Sequence, residues 1–159
     1  MLFRSEYIYF ARPDSDIYNK NVAQVRINLG RQLAKETPVA ADLVIPVPDS
    51  GNWAAMGFAE QAGIPYGNAF VRNHYIGRTF LQPSQLIRDF GVRVKLNLID
   101  EMVTGKRVVV IDDSIVRGTT ARSRVTTLRE AGAKERSEGT RLNSSHQIIS
   151  YAVFCLKKK

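Results

Sequence analysis

Two adjacent carboxylates, Asp112 and Asp113, stand between a run of β-branched residues and a loop of small and hydroxylated residues. Residues 108–111 have the pattern of a strand buried on both faces of a parallel sheet. We therefore expect the carboxylates at the carboxyl end of that strand, where open α/β sheets bind ligands. Paired carboxylates suit a vicinal diol, and carboxylate oxygens suit Mg²⁺ that keeps waters and substrate phosphates. In the alternative interpretation, Asp112 caps the next helix and Asp113 is only solvated.

The segment after the carboxylates suits a phosphate group. Residues 120–131 have a helical pattern that ends before Gly132, so we expect the amino terminus of a helix to face the loop. Its free amides and positive dipole end favour a phosphate dianion, and Gly118 lets the backbone approach closely. A diol, a metal and a phosphate together describe a phosphorylated ribose. The residues predicted to hold its 5-phosphate are Ser114, Ile115, Val116, Arg117, Gly118, Thr119 and Thr120.

Four segments of the chain resemble a known family in the same order. Residues 108–120, VVVIDDSIVRGTT, are similar to the phosphoribosyl pyrophosphate (PRPP) motif of type I phosphoribosyltransferases. The other three segments resemble the glutamine-dependent PRPP amidotransferases of that family: YIYFARPDS at 7–15, VIPVPDS at 44–50, and YIGRTF at 75–80 followed by Gln82, Pro83 and Ser84. The resemblance implies an α/β fold with an open, mainly parallel sheet and flanking helices, incomplete in a chain of 159 residues.

The resemblance also implies a reaction, that of a glycosyltransferase in the first committed step of purine biosynthesis. Such enzymes convert PRPP and ammonia, taken from glutamine, to 5-phosphoribosylamine and pyrophosphate. By this likeness, Arg78 and Lys95 are catalytic residues that hold the departing pyrophosphate, and Tyr75 lines the ammonia route. Asp49 and Ser50 belong to a pyrophosphate loop, where Gly51 replaces a serine that can approach the metal in relatives. The carboxylates Asp112 and Asp113 hold the ribose hydroxyls and the Mg²⁺ cofactor.

Three alternatives stay open at the level of sequence. The chain could be a PRPP-binding regulatory module without turnover, or a phosphoribosyltransferase that accepts a nucleobase. An incomplete sheet could also leave the fragment without a stable fold. The turn at Asp49 and Ser50 has a simpler interpretation as well, because either side chain could cap the following helix.

We expect two regions along the chain. Residues 1–135 form a partial phosphoribosyltransferase domain, and the glutaminase half of the amidotransferases is expected to be absent. Residues 136–159 do not resemble the family and are expected to be artefactual; alternatively, they are a divergent terminus in which residues 148–154 supply a strand. The intact enzyme is expected to be a homo-oligomer.

Composition argues against several classes of partner. The net charge is +8, but Arg136, Arg141 and three terminal lysines against Glu138 supply half of it. Aromatic residues are not interleaved with the basic ones, so we expect no nucleic-acid partner. No apolar run approaches the ~18 residues of a membrane span, so we expect no membrane partner. The single cysteine, Cys155, allows no intrachain disulfide, and the chain is predicted to be cytoplasmic.

The remaining pattern predicts the elements that position these residues. A helix over 16–34 would bury Ile17, Val22, Val25, Leu29 and Leu33 and leave Arg26 and Arg31 on its solvated face. A strand over 43–47 would lead through the Asp49 turn into a helix over 52–62, and a short strand would follow at 69–72. Residues 73–106 have weak periodicity, with a helical turn over 85–90, and are expected to form a lid over the substrate.

Overall fold

Helices and strands alternate through the computed structural model, which describes residues 6–73, 96–113, 119–134 and 152–155. A π-helical turn, Glu6–Phe10, comes first. The α-helices are α1 (Val22–Glu36), α2 (Asn52–Ala62), α3 (Asp100–Val103) and α4 (Thr119–Glu130). The strands are β1 (Asp16–Ile17), β2 (Lys20–Asn21), β3 (Leu43–Pro46), β4 (Phe70–Arg72), β5 (Leu96–Leu98), β6 (Val108–Asp112) and β7 (Ala152–Cys155).

The central sheet is built on the parallel pair β3 and β6, which runs from Leu43 opposite Val108 to Pro46 opposite Ile111. All residues of both strands are buried, as their continuous apolar sequences predict. Two isolated parallel bridges extend this arrangement, and β7 adds an antiparallel strand on the other side of β6. The mainly parallel α/β fold expected from the sequence is confirmed.

Hydrogen bonds between Asp42 and Arg107, here called the clasp, fix the register of β3 and β6 at their amino ends. The carboxylate of Asp42 accepts hydrogen bonds from the Arg107 backbone N–H at 2.8 Å, from Nε at 3.0 Å and from Nη2 at 2.5 Å. The backbone N–H of Asp42 donates in return to the Arg107 carbonyl at 2.8 Å. Because a parallel register set at one end holds along the pair, the clasp also determines which residues meet at the carboxyl edge.

Alternate residues of the two strands face two different cores, since successive side chains of a strand point to opposite sides. On one side, Val44, Val109 and Ile111 pack with residues of α1 and α2, including Phe58. On the other side, Leu43, Ile45 and Val110 pack against β4, β5, α3 and α4, among whose residues are Phe70, Val103 and Leu128. The sheet is therefore covered on both faces.

Helices α1 and α2 approach each other through glycine. A Cβ atom at Gly30 would lie 1.9 Å from the carbonyl oxygen of Ala54, and one at Gly57 would lie 2.0 Å from that of Ile27. The contact is thus reciprocal, with each helix presenting a glycine to the other's backbone. Helix α2 covers residues 52–62 as predicted and ends at Gly63, whose φ of 66° is a left-handed conformation that favours glycine.

The sequence pattern was wrong about the first helix. Residues 16–21 form a small antiparallel hairpin, so Ile17 lies in a strand and the helix begins at Val22, capped by the Asn21 side chain. Arg26 is not solvated. It is 2% exposed and donates to the carbonyls of Tyr7 at 2.7 Å and Ala11 at 2.9 Å, which ties the amino-terminal segment to α1.

The stretch with weak periodicity, residues 73–106, contains regular structure at its end. Strand β5 pairs antiparallel with β4, from Phe70 opposite Leu98 to Arg72 opposite Leu96, and α3 follows directly. The predicted helical turn at 85–90 lies outside the described residues. So does most of the carboxyl-terminal region, apart from β7. In the part of the chain that the structure describes, no helix has the length and apolar character to cross a membrane.

Candidate functional site

The predicted carboxylates lie at the carboxyl end of β6, as expected. Asp112 is the last residue of the strand and is 5% exposed, while Asp113 is half-buried. One oxygen of Asp112, Oδ1, accepts from the Asp113 backbone N–H at 3.0 Å. The other, Oδ2, accepts from Nη1 of Arg124, one helical turn into α4. The carboxyl end of β6 is therefore joined directly to the helix that follows it.

Burial dominates the electrostatics of Asp112. Loss of solvent around the carboxylate raises its pKa to about 6, the Arg124 guanidinium opposes that rise, and the nearby charge of Asp113 adds to it. Arg124 is itself largely buried, and its Nε–H has no acceptor among the described residues. The two side chains thus form a buried ion pair inside the junction between β6 and α4.

The turn after β3 reaches the same edge of the sheet. The backbone N–H of Val47 donates to the Ile111 carbonyl at 2.8 Å, and the N–H of Gly51 donates to the Val47 carbonyl at 3.0 Å. A Cβ atom at Gly51 would lie 2.6 Å from the Ile111 carbonyl oxygen. The glycine therefore lets the turn pack onto the end of β6, so the two predicted ligand-binding segments are neighbours in space.

The Asp49 side chain is an ion-pair partner rather than a helix cap. Its carboxylate accepts from Nη1 of Arg72 on β4 at 2.6 Å, and both side chains are more than half exposed. The N-cap of α2 is Gly51, so the interpretation of Asp49 or Ser50 as its cap is wrong. Ser50 lies in the turn and is half-buried. Arg72 places a positive charge beside the turn and neutralises the Asp49 carboxylate.

The other predicted site residues divide into two groups. Thr119 and Thr120 are the first two residues of α4, at the helix end expected to face the phosphate. The remaining ones lie outside the described residues: Ser114, Ile115, Val116, Arg117, Gly118, Tyr75, Arg78 and Lys95. Their assignments stay predictions.

Two arginines of this region were not among the predicted site residues. Arg124 stands four residues before Leu128, which is fully buried, so helical periodicity places both on the same face of α4. A charged residue on a buried face needs a partner, and that was the available signal. No sequence motif assigned a role to Arg72. Its contact with Asp49 joins residues 23 apart in sequence and had no local signal.

The donor set at this edge fits a magnesium ion that takes its remaining ligands from water and phosphate groups. Across the described ranges, no three His, Cys, Asp or Glu side chains come together as a preformed metal cage. Mg²⁺ is commonly bound by only one or two carboxylates and by substrate phosphates. Asp113, with Asp112 beside it, could supply the carboxylate oxygens.

Known proteins share this arrangement of sequence and fold, although no protein-family model matches the chain. Amidophosphoribosyltransferase from Bacillus subtilis (strain 168) is 59% identical over 130 residues, covering 82% of this chain and 27% of the relative. The Mycobacterium tuberculosis (strain H37Rv) enzyme of the same name is 57% identical, covering 82% of this chain and 25% of the relative. A solved structure of the B. subtilis glutamine PRPP amidotransferase, complexed with ADP and GMP, matches with a TM-score of 0.75 and 57% identity, covering 84% of this chain and 30% of that one.

The chain belongs, as a segment, to the amidophosphoribosyltransferase family. The family resemblance seen in the four ordered motifs is confirmed. The matching amidophosphoribosyltransferase fold also agrees with the α/β architecture of the described residues. The chain spans only about a quarter of the length of these curated amidophosphoribosyltransferases.

Proposed function

We propose that this chain carries the PRPP site of an amidophosphoribosyltransferase. The observation that carries the proposal is the meeting of the Asp112–Asp113 end of β6 with the Asp49 turn at one sheet edge, in a segment 59% identical to such an enzyme. The intact enzyme would convert PRPP and ammonia drawn from glutamine to 5-phosphoribosylamine and pyrophosphate.

Each part of the site has a distinct task in the proposed reaction. Asp112 and Asp113 bind the ribose hydroxyls and the water network of Mg²⁺, and the amino end of α4 with residues 114–120 binds the 5-phosphate. When bound, Mg²⁺ would offset the charge of the diphosphate. Arg78 and Lys95 hold pyrophosphate as it departs. Catalysis then rests on positioning and charge stabilisation, with no protein nucleophile.

The Asp49–Arg72 ion pair suits the turn for binding a diphosphate. An unpaired Asp49 carboxylate would repel an anion, but the guanidinium at 2.6 Å neutralises it. Backbone amides of the turn and the free donors of a guanidinium can then receive phosphate oxygens. Arg72 therefore joins the proposed pyrophosphate-binding residues Asp49 and Ser50.

The wider assignments belong to the same proposal. Tyr75 would line the ammonia route, and a glutaminase domain would complete the intact homo-oligomeric enzyme. Residues 1–135 would be the phosphoribosyltransferase part, with residues 136–159 outside it. The absence of a disulfide pair in the sequence supports a cytoplasmic setting.

Ligand-dependent unfolding tests the proposal directly. The melting temperature of the chain is measured with Mg²⁺, before and after addition of PRPP. We expect an upward shift, because a ligand at ~100 times its Kd stabilises the native state by about 2.7 kcal/mol. ATP with Mg²⁺ controls for nonspecific polyanion binding. A cooperative transition that PRPP does not move would contradict the proposal.

The substitution Asp113→Asn tests the role of the carboxylate pair. It keeps the size of the side chain but removes the charge that the diol and the metal-bound waters require. We expect affinity for Mg–PRPP, measured by calorimetry, to fall by about tenfold or more, since bonds to a charged group contribute ~1.5–3 kcal/mol. Glu130→Gln, an exposed substitution at the end of α4, is the control for charge. Equal affinities of wild type and Asp113→Asn would refute the role.

An assay of pyrophosphate release distinguishes an enzyme from a binding module without turnover. With free ammonium salts as the nucleophile source, release that depends on ammonia supports the transferase function. Binding of PRPP without such release would favour the regulatory alternative, and release that depends on a nucleobase would favour the other phosphoribosyltransferase class.

A further inference from the structure

The ion pair between Asp112 and Arg124 gives the two adjacent carboxylates unequal surroundings. Asp112 is 5% exposed, and both of its oxygens accept hydrogen bonds, from Asp113 N–H and from Arg124. Asp113 is half-buried and lies one residue beyond the strand. Arg124 therefore compensates the charge of the buried carboxylate, Asp112.

From this geometry we infer that Arg124 is a positioning residue that weakens the affinity of the Asp112–Asp113 pair for Mg²⁺ alone, so that the metal binds together with a diphosphate ligand. The inference rests on the proposed PRPP site. A guanidinium in contact with Asp112 repels a divalent cation at the neighbouring carboxylate, and its bond to Oδ2 occupies an oxygen that the metal or its waters would use. Phosphate oxygens would supply negative charge that offsets this repulsion.

Burial makes this effect of Arg124 stronger than that of a surface arginine. Solvent screens charges at a protein surface, but charges that are mostly buried are screened much less. Both side chains of the pair are largely buried, and helix α4 holds the guanidinium next to the strand. A purely structural tether would stabilise the β6–α4 junction but would have no effect on metal affinity once the protein is folded.

Titration of the full chain with Mg²⁺ alone tests the inference. Calorimetry at about pH 9 measures the affinity of the ionised carboxylates. Arg124→Met removes the charge while keeping an extended apolar side chain. We expect it to bind Mg²⁺ about tenfold more tightly than wild type, a difference of about 1.4 kcal/mol, although its melting temperature falls. Arg124→Lys restores a cation and is expected to return the affinity to within about twofold of wild type.

Two further variants complete the titration: a control for charge and a second neutral replacement of Arg124. Arg129→Met removes an exposed positive charge from the same helix and is expected to leave Mg²⁺ affinity unchanged. If Arg124→Met does not melt cooperatively, Arg124→Gln provides a neutral side chain that can still donate to Asp112, with the same expected tightening. Unchanged or weaker Mg²⁺ binding by the folded neutral variant overturns the inference, as does equal tightening in Arg129→Met.

Failure of the proposed function would give a different pattern. If wild type does not bind Mg–PRPP, the assignment of a PRPP site is wrong, whatever the metal titrations show. If wild type binds Mg–PRPP but removal of the Arg124 charge does not tighten Mg²⁺ binding, only the role of Arg124 is wrong.

Discussion

A single arginine on each of two helices shows how a charged side chain becomes part of a protein interior. Arg26 lies on the buried face of α1, four residues after Val22 and four before Gly30, all of them buried. Its guanidinium satisfies two backbone carbonyls of the amino-terminal segment. Arg124 occupies an equivalent place on α4 but has a carboxylate partner. Helical spacing marked the buried face for Arg124, but for Arg26 it predicted the solvated face, which is wrong. In both cases the partner depended on tertiary structure.

Replacement of Arg26 by methionine should strongly destabilise the fold. The substitution keeps an apolar stem but leaves the carbonyls of Tyr7 and Ala11 without their donors. We expect a loss of about 2–4 kcal/mol in the free energy of unfolding, since each unsatisfied buried group costs ~1–3 kcal/mol. Urea denaturation measures the change. Arg31→Met is the matched control, because Arg31 pairs with the exposed Glu60 and should change stability by less than ~1 kcal/mol. Equal effects of the two substitutions would contradict this account.

At the scale of elements, the close contact of α1 and α2 depends on two glycines. Gly57→Ala should destabilise the fold by about 1–3 kcal/mol, since the added Cβ would lie 2.0 Å from the Ile27 carbonyl and force the helices apart. Helix propensity alone predicts the opposite sign, a gain of ~1 kcal/mol. Thermal unfolding distinguishes the two. Met56→Ala, at an exposed position of the same helix, should have little effect; stabilisation by Gly57→Ala would refute the close contact.

The elements that the sequence predicted correctly are those whose pattern is local. The β-branched run of β6 and the apolar turn-bounded helix α2 need no knowledge of the rest of the chain, and both have the expected positions. The start of α1 was misplaced because Ile17 fits a helical period, while residues 16–21 pair as a hairpin. Strand β5 was missed because its three residues form a strand only through their pairing with β4.

The same distinction applies to the candidate site. The position of the two carboxylates followed from the strand that precedes them, and the position of the amino end of α4, which we propose binds phosphate, followed from its helical pattern. The contacts that set the charge of the site, Asp112 with Arg124 and Asp49 with Arg72, connect separate elements. Sequence spacing predicted the carboxylates of the proposed site but not the arginines that pair with Asp112 and Asp49.

At the scale of the whole molecule, stability should depend on pH through Asp42. Hydrogen bonds from Arg107 hold the pKa of Asp42 well below its usual range. A carboxyl whose pKa is lower in the folded state stabilises the protein above its unfolded pKa of ~3.9 and loses that contribution as the pH falls further. Asp42→Asn should therefore lower the unfolding midpoint in urea at neutral pH, with a difference from wild type that shrinks below about pH 4.

Asp14 provides the matched comparison for Asp42. It also pairs with an arginine, but its partner, Arg12, is only two residues away, whereas Asp42 and Arg107 are 65 residues apart and join two strands. Asp14→Asn should change the midpoint less, because a local surface pair closes no long-range contact. If the difference in urea midpoint between wild type and Asp42→Asn does not change with pH, the charge of Asp42 does not contribute to stability and this account is contradicted.

The pairing of β7 with β6 affects the tendency of this protein to self-associate. Backbone groups of residues 152–155 cover one side of β6, with Phe154 opposite Val110. Without them, a strand of five buried residues would present unpaired amides and carbonyls, a template on which another chain can add. Phe154→Pro, which disfavours strand pairing because proline is poorly tolerated inside a sheet, should cause concentration-dependent self-association measurable by light scattering, while wild type at equal concentration stays unchanged. The short terminal strand would then act as a barrier to aggregation, independent of any part in catalysis.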